Sequence, residues 1–129
     1  MDNTYIKLKD LEIYQLAREL SRLAWEIYVS LNFHDQKIMG EQFIRSIDSI
    51  GANIAEGYRR YHHLDKIKFY YIARGSLAES SQHWLELLHE RGKISKERKD
   101  ALAQIAETLS VKLANIISAT YRTKATTYK

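Results

Sequence analysis

Gln42-Phe43-Ile44-Arg45-Ser46-Ile47-Asp48-Ser49-Ile50-Gly51-Ala52-Asn53-Ile54-Ala55-Glu56-Gly57 is the stretch from which the fold is read. Phe43, Ile47, Ile50 and Ile54 recur at steps of four, three and four, which keeps them on one stripe of an α-helix. Ile44, Gly51, Ala52 and Ala55 widen that stripe, and a helix apolar or small on most sides is one packed among several neighbours. Gly51 costs about 1 kcal/mol against alanine in a helix interior. Close approach of another helix is the expected reason for it.

Working outward, the same periodicity predicts a first helix over about 9–31, on Ile13, Leu16, Ala17, Leu20, Leu23, Ala24, Ile27 and Leu31. Trp25 and Tyr28 lie beside its stripe. Asn32-Phe33-His34-Asp35 breaks the pattern, with Asp35 as the expected N-cap of a second helix over 36–59. A third helix follows over 65–90, on Phe69, Ile72, Ala73, Leu77, Trp84, Leu87 and Leu88. Gly75-Ser76 in its middle is a poor helical pair by propensity, so close contact is expected there, with the Gly51–Ala55 region or with another subunit. Gly92 suits a left-handed cap before a fourth helix over 95–121, and residues 122–129 read as a basic tail. Four amphipathic helices with short connections predict an all-α, antiparallel up-down four-helix bundle occupying residues 1–129 as one domain.

Composition narrows the function. The 129 residues include no proline, as suits a mostly helical chain. They include no cysteine, which excludes disulfides, thiolate metal sites and a thiol nucleophile and suits a reducing cytoplasm, the expected compartment. There is no apolar leader, and no run approaches the ~18 apolar residues of a membrane span. The net charge of +4 permits a nucleic-acid or other acidic partner without requiring one.

Folding helices two and three back about a loop centred near His62 sets residues whose numbers sum to about 124 at one level. Arg45 is then level with Glu79, Glu56 with Lys68, and Asn53 with Tyr71. Arg45 sits among apolar residues in the sequence, so an Arg45–Glu79 salt bridge is predicted. Arg45, Asn53, Glu56, Gly57, Gly75, Ser76 and Glu79 are accordingly assigned to structure.

Catalytic patterns are weak. Glu86-Leu87-Leu88-His89 has the spacing of di-metal bundle ligands, but no second copy exists. His62-His63 has no evident third ligand, Glu79 and His83 read as an exposed ion pair, and Ser76 and Ser80 lack a nucleophile elbow. No phosphate-binding glycine loop is present. The expectation is a non-enzymatic protein with no metal and no cofactor. Basic residues fall into three clusters: Arg59, Arg60, His62, His63, Lys66 and Lys68 with Tyr58 and Tyr61 interleaved; Arg91, Lys93, Lys96, Arg98 and Lys99; and Arg122, Lys124 and Lys129. Cations contact phosphates and tyrosines stack on unpaired bases. In an antiparallel bundle the first two clusters lie at opposite ends. The first and third are the candidate nucleic-acid contacts.

The segment 42–60, followed by Tyr71-Ile72-Ala73-Arg74-Gly75-Ser76-Leu77-Ala78-Glu79, resembles the bacterial four-helix bundle proteins called 23S rRNA intervening-sequence proteins. The Asn-Ile-Ala-Glu-Gly and Ala-x-Gly-Ser-Leu-x-Glu elements carry the likeness, which runs from about Leu11 to Ile117. His34 departs from it, where relatives have proline after the phenylalanine, as does Ser46, where a second arginine is expected. The resemblance implies a bundle assembled as a homopentameric ring, with similarity to the accessory variability proteins of diversity-generating retroelements, basic pentamers that bind a reverse transcriptase and nucleic acid. A ring would gather five copies of each basic cluster and strengthen weak contacts by avidity. RNA or DNA association is thus the first expectation, and a protein-docking scaffold without nucleic-acid binding the alternative.

Overall fold

The computed structural model describes residues 6–127, with side chains described through Thr123. Helix α1 is Glu12–Ser30, preceded by a single 3-10 turn at Leu8–Asp10. Helix α2 spans 33–59, running from Phe33–Asp35 through a π-helical turn, Gln36–Gly40, into Glu41–Arg59. Helix α3 spans 63–90, with a π-helical turn at Glu79–Trp84 between His63–Ala78 and Leu85–Glu90. Helix α4 is Lys96–Thr127. The described residues contain no strand.

The helices run alternately up and down. Gly51 faces Ala17, and Gly40 faces Tyr28, which sets α2 antiparallel to α1. Ser49 and Ser76 share a hydrogen bond of 2.9 Å, which registers α3 against α2. Lys99 pairs with Glu86 and Lys112 with Glu12, closing α4 against α3 and α1. The core fills the centre with Ala17, Leu20, Ala24, Phe43, Ile47, Ile50, Ile54, Leu85, Leu88, Leu102, Leu109 and Leu113, all with no exposed surface.

Local chemistry explains where the helices stop. Asn32, not Asp35, caps α2: its Oδ1 accepts from the Asp35 amide at 2.8 Å. Asp35 is instead buried and meets Lys93 Nζ at 3.0 Å, tying the α1–α2 turn to the α3–α4 turn. Gly92, at φ +72°, ends α3 in the left-handed region that favours glycine, while Lys93 N donates to Leu88 O. Ser95 Oγ accepts from Arg98 N to start α4. Helix α4 continues to Thr127 rather than fraying near Tyr121, because no glycine or proline interrupts it.

The π turn in α3 has a readable cause. Leu77 and Leu85 are both buried yet eight residues apart, a step that overshoots two α-helical turns by about 80°. The wider turn at Glu79–Trp84 restores the phase and buries Ser80. It also carries Trp84 Nε1 to Glu79 Oε2 at 3.0 Å, and His83 packs edge-on against Trp84. The expected Glu79–His83 pair gives way to these contacts.

The predicted Arg45–Glu79 salt bridge does not form. The level is nearly right, as Ser49–Ser76 shows, but the face is wrong. Ser49 turns toward α3 to meet Ser76, and Arg45, about 40° from it around the helix on the solvent side, is exposed with no need of a buried partner. Glu56 turns to Arg59 and Arg60 rather than Lys68. Asn53 Nδ2 donates to Ser49 O at 2.8 Å and Ser49 Oγ at 3.0 Å rather than reaching Tyr71.

Candidate nucleic-acid interface

Antiparallel packing brings three pieces of the chain to one end of the bundle. They are the α2–α3 hairpin at 60–62, the start of α1 and the last turns of α4, since Lys112 of α4 already lies beside Glu12. Arg59, Arg60, His62, Lys68 and Arg122 are exposed at this end, as are Lys7 and Lys9, which the basic clusters in the sequence do not include. Arg91, Lys93, Lys96, Arg98 and Lys99 stand at the opposite end. There Lys93 pairs with Asp35, Lys96 with Asp100 and Lys99 with Glu86. Arg98 NH1 donates to Glu26 O at 3.4 Å.

At the hairpin end the cations differ in what they face. Glu56 accepts from Arg59 at 2.8 Å and from Arg60 at 2.6 Å. The hydrogen bond from Arg59, with the nearby charge of Arg60, holds the Glu56 carboxyl below its usual range. The Arg60 guanidinium also lies 4.7 Å from the Phe69 ring centroid, with Lys68 Nζ 6.0 Å from the same ring. Phe69, read from sequence as a core residue, therefore organises two cations.

Lys66 is a different case from the phosphate contact expected of it. Its Nζ donates to Tyr58 O at 2.9 Å and Gly57 O at 3.4 Å, satisfying carbonyls at the end of α2, and lies over the Tyr58 ring. Burial pushes its ammonium below the ordinary lysine range. His63 is half-buried at the first turn of α3. Lys124 lies in the last turns of α4, and Lys129 is outside the described residues.

Tyr61 is the most exposed large hydrophobic side chain among the described residues, at 89%. The flanking Arg60 and His62 have extended backbone, φ −72°, ψ 142° and φ −85°, ψ 137°. Arg60 folds back over Phe69, while Tyr61 extends off the tip and touches the His62 ring edge to face at 5.3 Å.

The glycines separate clearly. A Cβ on Gly57 would come within 2.9 Å of Tyr70 Cε1 and 3.1 Å of Phe69 Cβ, so Gly57 permits the close crossing of α2 and α3 beneath the basic tip. Gly51 faces Ala17, so the helix that approaches it is α1, at ordinary contact distance. A Cβ on Gly75 would meet nothing within 4 Å, since it lies on the outer face of α3, so Gly75 makes no close helix contact within the chain.

Among the described residues no three His, Asp or Glu side chains are grouped to hold a metal, and no helix is long and apolar enough to cross a membrane. A groove of about 430 Å³ between α3 and α4 is lined by Arg74, Ala78, Ser81, Ala103, Ala106 and Glu107 among others.

The sequence profile described as the 23S rRNA-intervening sequence protein matches residues 9–115. A crystal structure from Bacteroides thetaiotaomicron, described as a protein with unknown function from the S23 ribosomal protein family, is similar at 29% identity and a TM-score of 0.75. The likeness covers 81% of this chain and 97% of that one. No curated protein matches.

Proposed function

The chain belongs to the 23S rRNA-intervening sequence protein family, and we propose that it is a non-enzymatic RNA-associated protein that engages phosphates through the hairpin end of its bundle. The observation that carries this reading is that Arg59, Arg60 and Lys68 are exposed at the hairpin beside the exposed Tyr61 ring, with Arg122 exposed on the last turns of α4 at the same end of the bundle. At the other end Lys93, Lys96 and Lys99 each have a carboxylate of their own, whereas at the hairpin Arg59 and Arg60 share the single charge of Glu56. The cytoplasm, where RNA is at hand, is the compartment that this reading implies.

The working unit in this reading is a homo-oligomeric ring, five subunits by the family resemblance. Support comes from the outer face of α3, where Leu64, Tyr71 and Ile72 are exposed beside the unfilled space at Gly75. A second copy packed there would account for a glycine that nothing inside the chain requires. Ile72→Glu is expected to lower the mass seen by light scattering.

The test of RNA binding is a salt series with nuclease-treated protein and a structured RNA. The logarithm of affinity is expected to fall linearly with that of salt, and Arg59→Ala with Arg60→Ala to lower the slope by about 1–2. The second reading, a protein-docking scaffold, rests on exposed Trp25, Val29, Phe33 and Ile38 about the α1–α2 turn. Docking through that surface would resist salt and be indifferent to the arginines.

A further inference from the structure

We infer that the Arg59–His62 tip takes unpaired RNA nucleotides rather than duplex, with Tyr61 as the platform on which a base stacks. This rests on the RNA-binding reading and narrows it to a substrate class. The first argument is exposure. Tyr61 is 89% accessible, while Phe69 beneath it already has Arg60 and Lys68 against its ring and Tyr58 has Lys66. The edge-on contact with His62 limits rotation of the Tyr61 ring and leaves a ring face open.

The second argument is arrangement. Arg59 precedes the tip and His62 follows it, so a base on Tyr61 would have its neighbouring phosphates beside cationic or protonatable side chains. Arg60 is tethered to Glu56 and Phe69, which holds positive charge beneath the tip instead of letting it fold over the ring. The third argument is the shape of the ligand. A duplex keeps base faces inside the stack, and the deep, narrow A-form major groove does not admit side chains. A protruding ring therefore gains nothing from a duplex, whereas every unpaired base offers a face.

The test compares a fluorescently labelled mixed-sequence single-stranded RNA with the same strand annealed to its complement, using the full chain at one low salt concentration. Single strand is expected to bind more tightly. Tyr61→Ala should weaken it about tenfold, with little change for duplex, while Tyr61→Phe retains binding. Tyr61 lies outside the core, so folding is not at risk. Phe33→Ala removes another exposed ring, 73% accessible at the opposite end, and should leave both affinities unchanged. Equal binding of both forms, unaltered by Tyr61→Ala, would overturn the stacking inference and leave a phosphate-binding end. Failure of both RNAs to bind would overturn the RNA reading itself.

Discussion

Alanine at Gly57 and at Gly51 should shift stability in opposite directions, although both glycines lie in the same helix and the same quoted segment. At Gly51 the added methyl would stand 3.6 Å from Ala17 Cβ and 3.9 Å from Tyr14 Cε1, ordinary contact distances. Removing a glycine from a helix interior is worth about 0.5–1 kcal/mol, and no repulsion opposes it. At Gly57 the methyl would stand 2.9 Å from Tyr70 Cε1 and 3.1 Å from Phe69 Cβ. Phe69 Cβ is fixed to the α3 backbone, and the Tyr70 ring is buried in the core, so the helices themselves must part. Overpacking of that kind costs about 1–3 kcal/mol. The propensity gain is smaller here because α2 ends at Arg59. The net expectation is a loss of about 1–2 kcal/mol.

Thermal unfolding followed by circular dichroism reads both variants, at one protein concentration because association would raise the apparent midpoint. A change of 1 kcal/mol moves the midpoint by about 3–6 °C in a chain of this size. Gly51→Ala should therefore melt a few degrees higher and Gly57→Ala several degrees lower. A shift of the same sign in both would refute the assignment of the close α2–α3 crossing to Gly57.

Three further outcomes follow from single contacts. Burial holds the Tyr70 phenol up at about 12, against 10.0 for a free tyrosine, so its stabilisation is whole below pH 10 and is lost as pH rises through 12. Relative to Tyr70→Phe, the wild type should lose about 1–2 kcal/mol over that window, allowing for solvent at the ring; urea titrations at each pH that give a constant difference would refute this. Lys93→Met leaves the buried Asp35 carboxylate without its cation and should cost about 1–3 kcal/mol, against under about 0.5 kcal/mol for Lys112→Met at the exposed Glu12 pair; equal losses in urea denaturation would argue against the buried clamp. A double-mutant cycle of Ser49→Ala and Ser76→Ala should return a coupling of about 0.5–1 kcal/mol, and additive single effects would place the hydroxyls out of contact.

The helices were legible because burial demands a regular spacing of apolar side chains. Phe43, Ile47, Ile50 and Ile54 are all fully buried, and α2 is the helix they define. The π turns were not legible. Two buried leucines eight residues apart signal one in retrospect, but in sequence Trp84, seven residues after Leu77, fills the gap and keeps the α-helical count apparently intact. The same limit explains Arg45. Loop position fixes the level of two antiparallel helices to within a residue or so, whereas the facing side depends on rotation, and one residue turns a side chain by about 100°. Level alone therefore predicts a neighbouring turn, and only the buried stripe predicts a contact.

The basic end was legible as a count of charges and not as a surface. Sequence gives Arg59, Arg60, Lys66 and Lys68 equal standing, but a lysine with four methylenes reaches whatever acceptor its helix leaves open. Lys66 follows the end of α2 by seven residues, near enough in space for its ammonium to reach the carbonyls of Gly57 and Tyr58. Lys68 points elsewhere because two residues along a helix is a turn of about 200°. Arg59 and Arg60 share one carboxylate, and Glu56 carries a single negative charge against their two. The excess charge and the exposed ring beside it survive folding together. Their survival, rather than the number of basic residues in the segment, makes this end of the bundle suited to an anionic, stackable ligand.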